Sequence, residues 1–142
     1  MSTQANSFIL HPQLEKDSHF LTRLSLCQLR LIDDTQFPWF ILVPERDSIV
    51  EMHQLSLADQ SQLWRESNLL SLALASLYQP DKLNLAMIGN MVSQLHFHHI
   101  VRFKNDPCWP QPVWGKLPMQ AYRGDMIEQT RLRLITEIER LG

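Results

Sequence analysis

The feature that most constrains the fold is a run in the last third of the chain in which side chains of opposite character alternate. Alternate positions of a strand share one face, so this run, residues 93–103, predicts a strand with two different faces. Residues 83–88 alternate in the same way, and Gly89-Asn90 between the two segments indicates a turn, so together they predict an antiparallel hairpin. One face of the second strand is expected to carry Gln94, His96, His98, Ile100 and Arg102, and the other, core-facing one Leu95, Phe97, His99, Val101 and Phe103.

The rest of the chain carries signals for further strands and helices. A long helix is predicted after Ser56, which has an acidic residue three positions later as in a capping box, and Pro80 ends it near Tyr78. Its apolar stripe leaves Glu66 facing elsewhere. The other predicted segments are a short helix at 14–24, a half-buried strand at 26–31, an apolar strand at 39–43, a loop at 107–118 and a final helix at about 125–141. Hairpins rather than parallel crossovers join the strands, so the fold class is α+β with an antiparallel sheet.

Composition limits the classes of partner. The 142 residues are 44% hydrophobic, which is enough for the core of one ordinary domain. Thirteen Lys+Arg against fifteen Asp+Glu give a net charge of -2, which argues against general nucleic-acid binding. The longest apolar run, residues 37–44, is too short to cross a membrane, and the first ten residues lack a signal-peptide pattern. Cys27 and Cys108 fit neither a metal site nor a disulfide framework, so we expect free thiols in the cytoplasm.

The imidazoles on the polar face of the predicted strand allow three interpretations. The first interpretation is an exposed polar surface. The second is a metal site in which His96 and His98 are two of the ligands. The remaining ligands of such a site would come from His11, His19, His53 or a distant carboxylate. The third interpretation is a phosphate site with a nucleophilic histidine, because imidazole is largely neutral at pH 7. The residues alone leave these alternatives open.

The segment that contains these histidines resembles the motif of the histidine triad (HIT) superfamily. In that family alternating histidines stand on the last strand of an α+β meander, after a glycine-rich turn; here the motif reads Gln94-Leu95-His96-Phe97-His98. Residues 31–44 are similar to the first hairpin of the family, and residues 106–115 to a bacterial branch that also has Gln-Leu-His-x-His. The resemblance covers residues 27–115. It implies a HIT-like antiparallel meander sheet with a long helix packed on it and a C-terminal helix, in one domain over residues 1–142.

The resemblance assigns chemical roles to the histidine segment. In the family the middle histidine attacks the α-phosphorus of a nucleotide and forms a nucleotidyl-histidine that water hydrolyses. By position this nucleophile is His96, and His98 contacts the phosphate or the departing group. Gln94 replaces the first triad histidine, so it can orient a partner but cannot relay a proton near neutral pH. Trp39 stands where many members have a further histidine. This mechanism requires no metal and no cofactor.

Five residues are implied to bind the nucleotide. Gly89, Asn90 and Met91 match the turn whose backbone N–H groups hold the α-phosphate, and such donors suit developing charge because they do not titrate. Met91 replaces a serine that often contacts the phosphate. Asp33 is similar to the residue that accepts from the ribose hydroxyls, and Asn84 to an asparagine just before the turn.

The resemblance therefore implies a hydrolase or transferase that binds a nucleotide and cleaves at its α-phosphorus. The substrate is of the dinucleoside polyphosphate or nucleoside phosphoramidate type. The alternative is a nucleotide-binding module with a degenerate triad and little turnover. Family members pair so that two sheets become one, so we expect a cytoplasmic homodimer whose partner is a nucleotide rather than a nucleic acid or a membrane.

Overall fold

The computed structural model describes residues 7–142, so residues 1–6 of the predicted single domain lie outside the described part. The described chain forms one antiparallel sheet of five strands in the order β1-β2-β3-β5-β4, together with helices. The α+β fold predicted from the sequence is therefore confirmed. The strands are β1 (Ser18–Arg23), β2 (Cys27–Ile32), β3 (Trp39–Pro44), β4 (Lys82–Ala86) and β5 (Phe97–Arg102), and the helices are α1 (Pro12–Asp17), α2 (Leu57–Tyr78) and α3 (Met126–Leu141), with a short 3-10 turn at Met52–Gln54.

The helix predicted at residues 14–24 is wrong over most of its length. Within this range the helix ends with α1 at Asp17. Helix α1 has a proline in its first turn, where the N–H that proline lacks would have no hydrogen-bond partner within the helix. The chain then turns into β1, because residues 18–23 find antiparallel partners along β2. Ser18 marks this change: its hydroxyl donates to the Leu14 carbonyl and accepts from the buried Arg30 guanidinium.

Both faces of the sheet are buried, whereas the sequence predicted a half-buried β2. One face packs against α2 and α3 through residues such as Leu29, Phe40 and Val101. The opposite face is covered by the segment before β1 and by the loop after β5, whose apolar side chains meet Ile41 and Ile100. The polar residues of β2 are buried there with hydrogen bonds: Arg30 binds Gln28 and Ser18, and Gln28 binds Glu45. The covering side chains include Phe8, Leu10, Leu14, Cys108, Val113 and Trp114.

The hairpin of β4 and β5 is antiparallel as predicted, with Ala86 opposite His98, but its connection is longer than a tight turn. Residues 87–96 separate the two strands, so Gln94 and His96 precede β5. Gly89 is required in this connection, because a Cβ atom there would lie 2.9 Å from the Val92 carbonyl oxygen. The connection therefore has a tight backbone at Gly89 and presents His96 just before the ladder begins.

Helix α2 begins and ends as the sequence predicts. The Ser56 hydroxyl accepts from the Asp59 N–H at 3.1 Å, and Gln79 takes the left-handed conformation that closes the helix. The prediction for Glu66 is wrong, since its carboxylate is buried and accepts from the N–H groups of Leu26 and Cys27. Helix α2 is thus tied to β2 through a polar contact. None of the helices formed by residues 7–142 has the length and apolar character needed to span a bilayer.

Candidate active site

His96 and His98 lie side by side on the sheet face opposite α2. Their ring centroids are 4.7 Å apart and their planes are inclined by 68°. Only 6% of His96 and 4% of His98 is exposed, so the rings lie under a cover rather than in the open cleft that an exposed polar face would give. The exposed-surface interpretation is therefore wrong for these two residues.

The ring of His96 is held in one tautomer. Its Nδ1 lies 2.7 Å from the main-chain oxygen of Gln94, and because a carbonyl only accepts, Nδ1 carries the hydrogen. The other nitrogen, Nε2, then keeps its lone pair. Burial lowers the pKa of His96 below its usual value, and the charge of His11 lowers it further, while the Gln94 carbonyl opposes this. His96 is consequently neutral, with a free lone pair, at pH 7.

The ring of His98 has the opposite tautomer. The indole N–H of Trp39 donates to its Nδ1 at 3.0 Å, so the hydrogen of His98 is on Nε2, which lies 3.4 Å from the Ile88 carbonyl oxygen. Burial and the charge of His96 lower the pKa of His98 to about 3. His98 is therefore a neutral hydrogen-bond donor at physiological pH, and its long contact to Ile88 is weak.

The glycine turn lies beside His98. Ile88, whose carbonyl is near the ring, immediately precedes Gly89. Among residues 7–142 no acceptor meets the backbone N–H groups of Gly89, Asn90 and Met91, so three donors remain open in this turn. The Met91 side chain is 97% exposed and contributes no hydrogen-bonding group. What the turn can offer an anion is its backbone.

The side chain of Gln94 is used away from the two imidazoles. Its Nε2 donates to the Ile9 carbonyl at 2.9 Å, and its Oε1 accepts from the His11 N–H at 2.8 Å. Only the main-chain oxygen of Gln94 binds within the histidine pair. The family resemblance had predicted that this amide orients a partner in the triad.

The two remaining predicted binding residues lie on either side of this centre and differ in their engagement. Asn84 stands opposite Ile100 on the histidine face of the sheet, where its Oδ1 accepts from Arg102. Across the sheet, Arg30 of β2 is paired through Ile41 with His98. Asp33 lies three residues further along the chain, just after the end of β2. Its Oδ1 accepts from the Tyr122 N–H at 2.9 Å. The structure brings the turn and the two histidines together, but it does not bring Asp33 beside them.

Two tryptophans, Trp39 and Trp114, enclose the two imidazoles. Trp114 packs edge-on against His98, with ring centroids 5.1 Å apart, and edge-on against Trp39 at 5.8 Å. A cavity of about 390 Å³ adjoins Trp114 on the side of β4. The family position of Trp39 was a signal for that residue, whereas nothing local indicates which rings Trp114 contacts. The cavity is lined by Lys82, Leu83, Asn84, Leu85, Ala86, Pro110, Pro112 and Trp114.

The loop that carries Trp114 is fixed by a buried ion pair. Arg102 is almost fully buried and binds both carboxylate oxygens of Asp106, at 2.7 and 3.1 Å. Asp106 also accepts from the N–H groups of Cys108 and Trp109, so it orders the first turn of the loop. A bidentate pair of this kind has high geometric specificity. Strand β5 thus carries His98 and, through Arg102, also holds the loop that covers the histidine face.

His99 lies on the other face, in the core, as the alternation predicts. It is fully buried, with Nδ1 on the Phe97 carbonyl and Nε2 2.7 Å from the Ser67 hydroxyl. Burial lowers its pKa to about 4. Among the described residues no three His, Cys, Asp or Glu side chains come together as metal ligands.

Comparison with known proteins decides the family. The HIT domain model matches residues 13–105, a range that contains the turn and all three histidines of the 96–99 segment. The chain belongs to the histidine triad (HIT) family. A search of curated proteins gave no match.

Solved HIT structures agree with this HIT chain over nearly its full length. A histidine triad protein from Marinobacter aquaeolei is 42% identical, with a TM-score of 0.91, covering 95% of this chain and 98% of its own. A HIT protein from Sinorhizobium meliloti is 37% identical, with a TM-score of 0.90 and coverage of 92% and 97%. A histidine triad nucleotide-binding protein from Sulfolobus tokodaii is 17% identical over 87% and 85% of the chains, and its TM-score of 0.67 is a likeness of fold alone.

Proposed function

We propose that this HIT chain binds a nucleotide and cleaves it at the α-phosphorus through His96. The observation that carries the proposal is the hydrogen bond from His96 Nδ1 to the Gln94 carbonyl, 2.7 Å long, which leaves the Nε2 lone pair free. Burial lowers the pKa of His96, so the ring is neutral and nucleophilic at pH 7. A nucleophile needs both of these properties.

The reaction proceeds in two displacements at phosphorus. The Nε2 lone pair of His96 forms a nitrogen–phosphorus bond while the bond to the leaving oxygen or nitrogen breaks. The electron pair of that bond departs with the leaving group, and a leaving nitrogen takes a proton from solvent. Water then attacks phosphorus, the nitrogen–phosphorus bond returns its pair to Nε2, and the proton of the water passes to solvent. The nucleoside monophosphate is released and the imidazole is regenerated.

Neighbouring donors support charge on the phosphoryl group. The open N–H groups of Gly89, Asn90 and Met91 are preorganised, and they remain donors at every pH. The Nε2 hydrogen of His98 exchanges its 3.4 Å contact with Ile88 for a phosphoryl or leaving-group oxygen. His98 acts here as a donor rather than an acid, because its pKa of about 3 leaves it uncharged.

The organic part of the substrate has room beside this centre. The cavity next to Trp114 is lined by Asn84 and by two prolines, and it offers an aromatic edge to a base or a leaving group. Asp33 accepts from a ribose hydroxyl with Oδ2, since Oδ1 already accepts from Tyr122. The His19 imidazole nitrogen also lies 3.0 Å from Oδ1 of Asp33, so Oδ2 is the oxygen that remains for the ribose.

A second candidate function is nucleotide binding with little turnover. It is favoured by the burial of both rings and by the engagement of the Gln94 amide with residues 9 and 11. In that case the backbone turn binds phosphate and the covered imidazole does not reach phosphorus. Enzyme and binding module are then distinguished by turnover alone.

The test uses a panel of dinucleoside polyphosphates and nucleoside phosphoramidates, with release of nucleoside monophosphate as the readout. We expect His96→Ala to abolish release while nucleotide affinity falls only modestly, because the backbone donors remain. His98→Ala slows release less, and His53→Ala, a change outside the site, leaves it unchanged. Native hydrolysis in His96→Ala contradicts the covalent mechanism. Micromolar binding without cleavage by the native protein supports the binding module.

The assembly is proposed to be a homodimer in which two sheets become one. Strands β1 and β4 are the edges of the sheet, and β4 carries an exposed Leu85. Pairing of such an edge with its symmetry mate covers unpaired backbone groups. Sedimentation at micromolar concentration is expected to give a dimer, and a monomer contradicts this.

The free thiols Cys27 and Cys108 fit the reducing cytoplasm that we propose as the location of the protein.

A further inference from the structure

Gln94 connects the segment before α1 to the reacting histidine. Its side-chain amide makes two bonds to the backbone of alternate residues, donating to Ile9 and accepting from His11. A strand pairs with its neighbour through the same donor and acceptor arrangement. A primary amide has a donor and an acceptor on one planar group, and neither of them titrates. Gln94 is therefore chemically matched to holding this extended segment.

The main chain of the same residue holds His96. The Gln94 carbonyl accepts from His96 Nδ1 at 2.7 Å while its side chain binds the backbone of His11 at 2.8 Å. One residue thus bonds to both histidines. His11 is close enough that its charge lowers the pKa of His96. The titratable groups that act on the pair are His11 from the segment before α1, which acts on His96, and His96 and His99, which act on His98.

The ring of His11 also has a defined tautomer. Its Nδ1 accepts from the Gln13 N–H at 3.0 Å, at the start of α1. In the neutral ring the hydrogen is therefore on Nε2, which is a donor. A second imidazole donor is thus carried by the segment that Gln94 binds, and the main chain of Gln94 binds His96.

We propose that Gln94 is a positioning residue that holds residues 9–11 against the site. His11, held in this way, disfavours positive charge on the His96 ring and donates a hydrogen bond from its Nε2 to a phosphoryl oxygen. The part that concerns a phosphoryl oxygen rests on the proposed function. The action of His11 on His96 does not, because it is a property of the free protein. The imidazole missing from the triad position is supplied from the N-terminal side of the fold.

The first test is His11→Asn. Asparagine keeps an acceptor for the Gln13 N–H, so α1 retains its cap, but the imidazole is removed. NMR titration of the His96 ring is expected to show a higher pKa than in the native protein, because a like charge has gone. If the native protein turns over, kcat/KM falls about tenfold, the value of one hydrogen bond to a charged group. An unchanged His96 titration overturns the proposal.

The second test is Gln94→Met, which keeps the length and neutrality of the side chain but removes both amide bonds. We expect faster hydrogen exchange at residues 9–11 and the same rise of the His96 pKa as in His11→Asn. The double variant shows no larger rise than either single one, since both act through one contact. Gln129→Met, the same change on an exposed face of α3, is the control. Additive effects, or slow exchange in Gln94→Met, contradict the positioning role.

These readouts separate the proposal from the proposed function. The titration and the exchange experiment need no substrate, so they stand if the native protein cleaves nothing. In that case inorganic phosphate is the probe, and we expect weaker binding by His11→Asn than by the native protein. Equal phosphate binding by the two proteins overturns the donor role of His11.

Discussion

At the scale of single residues, the three histidines at 96, 98 and 99 differ in tautomer although they are close in sequence. His96 and His99 each bond through Nδ1 to the carbonyl two residues earlier. His98 does not, because Trp39 on the neighbouring strand donates to its Nδ1. The outcome gives one ring with a free Nε2 lone pair next to one with an Nε2 hydrogen. A ring with an open acceptor nitrogen and a ring with a donor thus result from the same residue type.

Trp39→Phe tests this assignment. Phenylalanine keeps an aromatic ring in a buried position but leaves Nδ1 of His98 without its donor, so the tautomer is no longer fixed. We expect a loss of about 1–3 kcal/mol in the free energy of unfolding, the cost of an unsatisfied buried group, measured by urea unfolding. Nitrogen NMR of His98 is expected to show both tautomers.

Trp64→Phe is the matched control, because Trp64 is largely exposed on α2 and has no hydrogen-bond partner in the site. It should change the free energy of unfolding by less than about 0.5 kcal/mol. If Trp39→Phe keeps a single His98 tautomer with hydrogen on Nε2, the indole does not determine it.

At the scale of elements, periodicity predicted α2, α3, β3 and β5, because each buries a stripe or a face whose spacing is local. It failed for β1, where the pairing with β2 outweighs the helical spacing of Leu14, Leu21 and Leu24. It also failed for the cover of the histidine face. That cover comes from segments more than 80 residues apart, as the bond between His11 and Gln94 shows, and local patterns do not contain such contacts.

The family motif located the histidine pair and the turn beside it, but it did not predict what each side chain binds. Gln94 was expected to orient a partner in the triad, and its side chain instead binds the segment before α1. Asn84 is bound to Arg102. In both cases the residue type suits two partners equally well, and only the packing selects one.

Glu66 offers a test of how α2 is joined to the sheet. Glu66→Ala leaves the N–H groups of Leu26 and Cys27 buried without an acceptor. We expect a loss of about 2–4 kcal/mol in the free energy of unfolding. Glu139→Ala, on an exposed position of α3, is the control and should change it by less than about 0.5 kcal/mol. Equal losses in both variants contradict the account of this contact.

At the scale of the whole molecule, the buried imidazoles make the protein sensitive to acid. The pKa values of His98 and His99 are lowered to about 3 and about 4, so between pH 6.5 and 4 the unfolded chain binds protons that the folded chain does not. Stability is therefore greatest above pH 6.5 and is lost as the pH falls. Each histidine contributes up to about 1.4 kcal/mol per pH unit.

Urea unfolding at a series of pH values from 7 to 4.5 checks this slope. His99→Gln is expected to reduce the slope by about one proton, because glutamine does not titrate in either state. His53→Gln, the same substitution at an exposed position of the 3-10 turn, is the matched control. The same slope in native protein and His99→Gln contradicts the assignment of His99 as a neutral core residue.

The covalent intermediate on His96 is the most direct test of the central claim. The native protein is mixed with a nucleoside phosphoramidate, quenched in base during turnover, since phosphoramidates of histidine are labile in acid, and analysed by intact-mass and peptide mass spectrometry. The account predicts one nucleoside monophosphoryl group on the peptide that contains residue 96, and none in His96→Ala. Turnover with no such adduct at any quench time, or the same adduct in His96→Ala, would contradict it.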